Sequence, residues 1–342
     1  MIQTIVQTHA NAIMPEVTME EAGHAANFHA AQHVFDDYLS RKATNTIKSQ
    51  GFDLSVFADY LAAVGVQATA GDLQRDPQAW QGITWGLVEG FVKWMLAQGF
   101  AVGTINRRLS TVKVYAKLAA KAGAIDVQQN ALIRLVSGYA GKEAVRVDEK
   151  RDRTRVGHKK AVHTSLTAEQ AKALKTQPDT PQGRRDAVIM ALLLDFGFRV
   201  GEVAILEVSH VNLKEGTIQV YRPKVDLHQT HKLSADCLVA LRKWFDSGDC
   251  APFGPLLRGS RKGGELTDVG MSTTSISDRV RTLGKAIGVD HLSAHCCRHY
   301  WTTNHVRNGK DLNLVRQAGG WKGMAMVLRY AEDAEIANEG LV

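Results

Sequence analysis

The sequence predicts a mainly helical protein with a small antiparallel sheet. Three observations carry that expectation. Apolar residues recur at steps of three and four through most of the 342-residue chain. One stretch, GTIQVYRPKVDLHQTHKLS, alternates instead and is interrupted midway by polar residues. A charge-dense stretch, residues 141–165, has almost no apolar periodicity and separates two patterned regions, and the length suits two domains.

Residues 1–27 are mixed and weakly patterned, and a partly ordered arm is expected there. The opening MIQTIVQTHANAIMPEV lacks a basic leader followed by a long apolar run, so no signal peptide is expected. Residues 28–125 read as a helical bundle. Leu54, Phe57 and Leu61 share a face, as do Val88, Phe91 and Met95 and, one helix on, Ile105, Leu109, Val112, Ala116 and Ala119. Thr104 is placed to cap that last helix and Gly123 to end it. The same helix carries Lys113, Lys117 and Lys121 at steps of four, with Arg107 and Arg108 a turn earlier. It therefore has a core face and a basic face. On a lone helix such a face is usually just solvated. In a basic chain, of net charge +7 and pI about 9.2, that also carries other DNA signals, a face that tracks phosphates or enters a groove is the better reading. Residues 126–165 read as a basic linker.

A second domain, 166–342, opens at LTAEQAKALK, where Thr167 and Gln170 form a capping box. The helix RRDAVIMALLLDFGF follows. Its apolar run, residues 187–194, is far too short to span a bilayer, so no membrane partner is expected. In the alternating stretch, Ile218, Val220 and Arg222 fall on one face and Gln219 and Tyr221 on the other, the pattern of a β-hairpin. His228 and His231 near its tip read as a solvated turn. From about 272 onward the pattern is helical again.

Of the four cysteines, none forms a C-x-x-C pair, and Cys296 and Cys297 are adjacent, where a disulfide would be strained. A reducing, cytoplasmic setting fits. The stretch SAHCCRHYW raises a choice. His295 and His299 at i and i+4, with two thiols, have the makings of a zinc site. Arg298 sits inside the cluster, however, and a fixed cation beside a dication is costly. His295 and Arg298, three residues apart, instead suit an anion clamp, with Cys296 and Cys297 as small buried packing residues.

Four places then stand out in order: GFRVGE with Arg199 and Glu202, the hairpin with Lys224, HCCRH with His295, Arg298 and His299, and GGWKGMAMVLRYA with Trp321 and Tyr330. Together they resemble the tyrosine recombinase family of phage integrases, Xer resolvases and Cre-type recombinases, closely over 166–342 and in outline over 28–125. The resemblance implies a helical core-binding domain and an α+β catalytic domain that clamp DNA. It implies cleavage and rejoining of double-stranded recombination sites through a 3′-phosphotyrosyl link and a Holliday junction, by a homotetramer, with or without accessory DNA-bending proteins. Arg199 and Arg298 would clamp the phosphate, His295 and Trp321 would donate hydrogen bonds, Lys224 would be the general acid and Tyr330 the nucleophile. Glu202 would orient Arg199, and His299 would make a structural contact. The family's lysine lies in this hairpin with variable flanks, so Lys232 competes with Lys224. No metal or other cofactor is implied, and the protein would act in the cytoplasm on the nucleoid. Two competing readings are a type IB topoisomerase and a DNA-binding accessory protein without catalysis.

Overall fold

The structure, a computed structural model, describes residues 17–151, 164–261 and 263–332. The chain divides into two compact units, residues 1–159 and 160–342. It is mainly α with small antiparallel sheets, as the periodicities predict.

The first unit is helical throughout: α1 (Met19–Gln32), α2 (Val34–Ser40), α3 (Thr44–Ala63), α4 (Ala70–Arg75), α5 (Trp85–Ala97), α6 (Val102–Lys121), α7 (Val127–Leu135) and α8 (Gly141–Lys150). Its core is the set of stripes read from sequence. Leu54, Phe57, Leu61, Val88, Phe91, Met95, Ile105, Leu109, Val112, Ala116 and Ala119 are all buried together. Trp80 fills the centre, stacks on Phe57 and Tyr115, and satisfies its indole N–H on Leu73 O at 2.8 Å.

The ends of this unit differ from expectation. Helix α1 starts inside the predicted arm because Thr18 and Glu21 form a reciprocal capping box, yet it buries none of its residues. Residues 1–16 of that arm lie outside the described residues. Thr104 is not a cap. Helix α6 begins at Val102, whose burial extends the helix a turn earlier, and Gly123 ends it in the left-handed region at φ +78°. The stretch expected as a linker opens with two helices. Asp126 caps α7, and Ile133 and Val136 seal it onto the core. Asn106 then clamps Tyr139 through a pair of side chain–backbone hydrogen bonds. So few apolar positions suffice because α6 reaches out to this segment with polar side chains. The rest of the expected linker, 152–163, lies outside the described residues.

The second unit comprises α9 (Ala168–Lys175), α10 (Pro181–Phe196), α11 (Val200–Ala204), β1 (Val211–Asn212), β2 (Thr217–Arg222), β3 (Leu227–Lys232), α12 (Ala235–Asp246), β4 (Arg258–Ser260), β5 (Leu266–Gly270), α13 (Thr273–Ala286), α14 (Ala294–Arg307), α15 (Leu312–Gly319) and α16 (Ala325–Glu332). The capping box at Thr167 and Gln170 forms as read. Helix α10 is apolar on every side from Val188 to Leu194 because α9, α12, α13 and α14 pack around it. The three-stranded sheet runs β1-β2-β3, antiparallel, with Ile218 opposite His231 and Arg222 opposite Leu227. The second hairpin, β4-β5, and α12 carry no distinctive motif in the sequence. A small separate cluster of Trp301, Val315, Trp321, Val327 and Tyr330 holds the last two helices. Among the described residues, no helix is long and apolar enough to cross a membrane.

Candidate active site

The site is built around helix ends, where backbone groups need partners. Arg199 follows α10 and precedes α11. Its backbone N–H donates to Glu202 Oε2 at 2.9 Å, and its Nη1 donates to Oε1 at 2.7 Å. Glu202 is buried, and its Oε2 also accepts from Arg222 Nη1 at 2.9 Å. One carboxylate thus orients two guanidinium groups. Arg199 keeps about a quarter of its side chain exposed (27%), while Arg222 is fully buried.

Arg298 enters from α14. It donates from Nη1 to Gly197 O at 2.6 Å and from Nη2 to Gly319 O at 2.5 Å, and its guanidinium lies 4.1 Å from the centre of the Trp321 ring. Burial, then the neighbouring Arg199, and to a lesser degree Arg222, push its pKa down to about 9, against the opposing pull of Glu202. A buried cation repelled by two others favours a negative charge beside it. A phosphate entering beside Arg199 and Arg298 would relieve that repulsion.

The Gly319–Gly320 pair makes the close approach possible. A Cβ on Gly319 would come within 2.0 Å of Trp321 Cζ3, and one on Gly320 would sit 2.5 Å from Arg222 Cδ at a φ of +63°. Gly319→Ala is therefore expected to displace Trp321 from Arg298 and to destabilise the second unit by about 1–3 kcal/mol, the usual range for overpacking. A thermal melt and the tryptophan emission of the purified protein check this.

Tyr330 lies on α16. Its ring packs on Trp321, with centroids 5.9 Å apart, and edge-on to His299 at 5.0 Å. It is within electrostatic reach of Arg298. The ring is only 5% exposed, in the small cluster rather than the main core. His299 is buried, and its Nδ1 pairs with Thr303 Oγ1 at 3.3 Å, a contact within its own helix as expected. His295, one turn earlier, is exposed at the start of α14. Arg199, Glu202, Arg298, His299, Trp321 and Tyr330 are thus linked in one network. Lys224 stands apart on the exposed turn 223–226 between β2 and β3, and Lys232 is exposed at the far end of β3.

Two readings change. His231 is no solvated turn. It sits in β3 edge-on to Phe198 at 5.0 Å, and burial, then Arg222, push its pKa down to about 4. On α6, Arg108 lies over the Phe100 ring at 4.2 Å, and Lys113 Nζ donates to Arg134 O at 3.0 Å and to Val136 O. Both are engaged inside the first unit. Arg107 is held by Asp53 with its side chain half exposed, and only Lys117 and Lys121 of the predicted basic face lie fully on the surface. The SAHCCRHYW segment keeps its reading. Cys296 and Cys297 are buried, burial raises the Cys297 thiol, and among the described residues no group of three or more His, Cys, Asp or Glu could hold a metal.

Sequence reasoning missed Arg222 as a site residue. Its signal was present, since an arginine in phase with Ile218 and Val220 on the inward face of a strand must find buried acceptors.

Comparison with known proteins gives this network its context. Residues 164–336 match the model of the phage integrase family. The chain belongs to the phage integrase family. Membership makes it a tyrosine-type site-specific recombinase. It is 27% identical over 190 residues to a tyrosine recombinase XerD of Neisseria meningitidis serogroup B, covering 54% of this chain and 63% of that relative. It is 25% identical over 302 residues to a tyrosine recombinase XerC of Mycobacterium sp. (strain JLS), covering 86% of this chain and 91% of that one. The fold is similar to that of a lambda integrase dimer bound to a core site, with a TM-score of 0.56 at 16% identity over 90% of this chain and 96% of that one. It is also similar to the Tn1549 transposon integrase in complex with circular intermediate DNA, with a TM-score of 0.56 at 14% identity over 85% of this chain and 99% of that one.

Proposed function

We propose that this chain binds specific double-stranded DNA sites, cuts one strand with Tyr330 and rejoins strands through a 3′-phosphotyrosyl intermediate. The observation that carries the reading is the continuous set of bonds from Arg199 through Glu202, Arg222 and Gly319 to Arg298, with Trp321 on Arg298 and Tyr330 on Trp321.

The chemistry suits these groups. A phosphodiester undergoing exchange becomes five-coordinate at phosphorus, with charge on its non-bridging oxygens. Arg199 and Arg298 match those oxygens with preorganised N–H donors, and His295 and Trp321 add further donors. The Tyr330 oxygen bonds to phosphorus as its proton is released to solvent, and the P–O5′ bond breaks. The departing 5′ oxygen takes a proton from Lys224 Nζ. The phosphotyrosyl bond replaces the phosphodiester one for one, so attack by another strand's 5′ hydroxyl reverses the step without an external energy source. Tyr330 is buried before DNA arrives, so α16 has to turn its ring toward the phosphate. On the first unit, Lys117, Lys121 and the Asp53-held Arg107 are the side chains of α6 free to meet the backbone. Paired sites, a tetramer and a Holliday junction complete the reaction in this reading.

The test is a nicked suicide substrate made from DNA flanking the chain's native locus. A covalent protein–DNA band is expected, and it should survive EDTA, because the arginines supply the positive charge. Specific binding with no band would point to an accessory protein. Plasmid relaxation without synapsis would point to a topoisomerase.

A further inference from the structure

We propose that Arg222 is a positioning residue that holds the Lys224 turn against the segment carrying Trp321 and Tyr330; this rests on the recombinase reading above. Arg222 is the last residue of β2 and is wholly buried. A guanidinium in that place survives only if its N–H groups find acceptors. Its Nε donates to Gln229 Oε1 at 2.5 Å, its Nη1 to Glu202 Oε2 at 2.9 Å and to Gly319 O at 3.2 Å, and its Nη2 to Ala318 O at 2.6 Å. Nη2 also lies 3.5 Å from His231 Nε2.

The backbone acceptors are the informative ones. Gly319 and Ala318 end α15, and the last carbonyls of any helix lack partners within it. A cation there is also favoured by the helix dipole. Gln229, across the hairpin on β3, repeats the arrangement: its Nε2 donates to Gln317 O at 2.8 Å. Three successive carbonyls of α15 are therefore capped by hairpin side chains. Lys224 lies two residues beyond Arg222, and Trp321 lies two residues beyond Gly319. The separation of the lysine-bearing turn from the Trp321 segment is thus set through one guanidinium. Gly320 lets Arg222 lie this close. A lysine, a point charge with three donors, could not bridge the same acceptors.

A residue that only filled the core, or only oriented Arg199, would affect every kind of cleavage alike. A residue that places a proton donor affects only leaving groups that need the proton. The experiment uses two suicide substrates of the same sequence. One has the ordinary 5′ oxygen, and the other has a sulfur at that bridging position, whose thiolate leaves without protonation. R222M is expected to bind DNA as the wild type does and to cut the oxygen substrate about 100-fold more slowly, the scale of a lost general acid. It should be slowed far less on the sulfur substrate, by only the smaller loss that follows from the missing bonds to Glu202 and Gly319. K224A should give the same split, and R199A should be slow on both. Wild-type cleavage of the oxygen substrate by R222M would overturn the proposal. So would equal slowing on both substrates, or the absence of a split in K224A. If R222M melts below the assay temperature, Q229A replaces it, with a smaller split expected and its absence counting against the proposal. No covalent band from the wild type on either substrate would overturn the recombinase reading itself, and the proposal with it.

Discussion

Tyr330→Phe is expected to bind the target DNA as tightly as the wild type and to form no covalent adduct. The change removes one oxygen and leaves the ring. The packing on Trp321 and the edge-on contact with His299 are made by the ring, so they persist. The fold should lose no more than about 1.5 kcal/mol, the net worth of a typical hydrogen bond. Cleavage should fall on the order of 10⁶-fold, the scale on which removing a nucleophile acts. The measurement pairs a gel-shift titration with denaturing electrophoresis of the nicked substrate. A covalent band from the mutant would remove Tyr330 from the mechanism.

Arg298→Ala is the second large effect. The cleavage rate should fall by about 10³-fold or more, because losing one preorganised donor to a developing oxyanion already costs 10² to 10³. Stability should change far less, because two consequences oppose each other. The carbonyls of Gly197 and Gly319 lose a donor, which costs about 1–3 kcal/mol for each one left unsatisfied. Against that, a buried cation that Arg199 and Arg222 repel is removed. Arg298→Lys should not restore the rate, since a lysine cannot present a planar fork to two oxygens. Single-turnover cleavage at saturating DNA, set beside a thermal melt, separates the two effects. A mutant whose binding falls as far as its cleavage would make Arg298 a plain phosphate anchor.

The fold and site were legible to different depths for physical reasons. The helical stripes of the first unit were readable because each amphipathic helix buries one face, and Phe57, Phe91 and Val112 duly meet in one core. Family motifs supplied Arg199, Arg298, Trp321 and Tyr330, and the structure joins them in one network. Polar side chains were the hard part. Nothing local in the sequence distinguishes Lys113, which caps carbonyls at the end of α7, from Lys117, which faces solvent. The Lys113 acceptors lie some twenty residues away. His231 was misread for a related reason. Its polar neighbours along the chain suggested exposure, while its neighbours in space are Phe196 and Phe198, contributed by another element. The β4-β5 hairpin escaped notice because its strands are short and mostly half-exposed, with little alternation to detect.

The carbonyls at the end of α15 have a consequence for chimeras. Their donors come from β2, β3 and α14, so the tail that carries Tyr330 is no independent cassette. A graft of residues 308–332 from a relative brings its own backbone acceptors but none of the arginine and glutamine forks that meet them. Exchange between homologues would have to move the hairpin strands, α14 and the tail as one unit, or leave the tail without its seat.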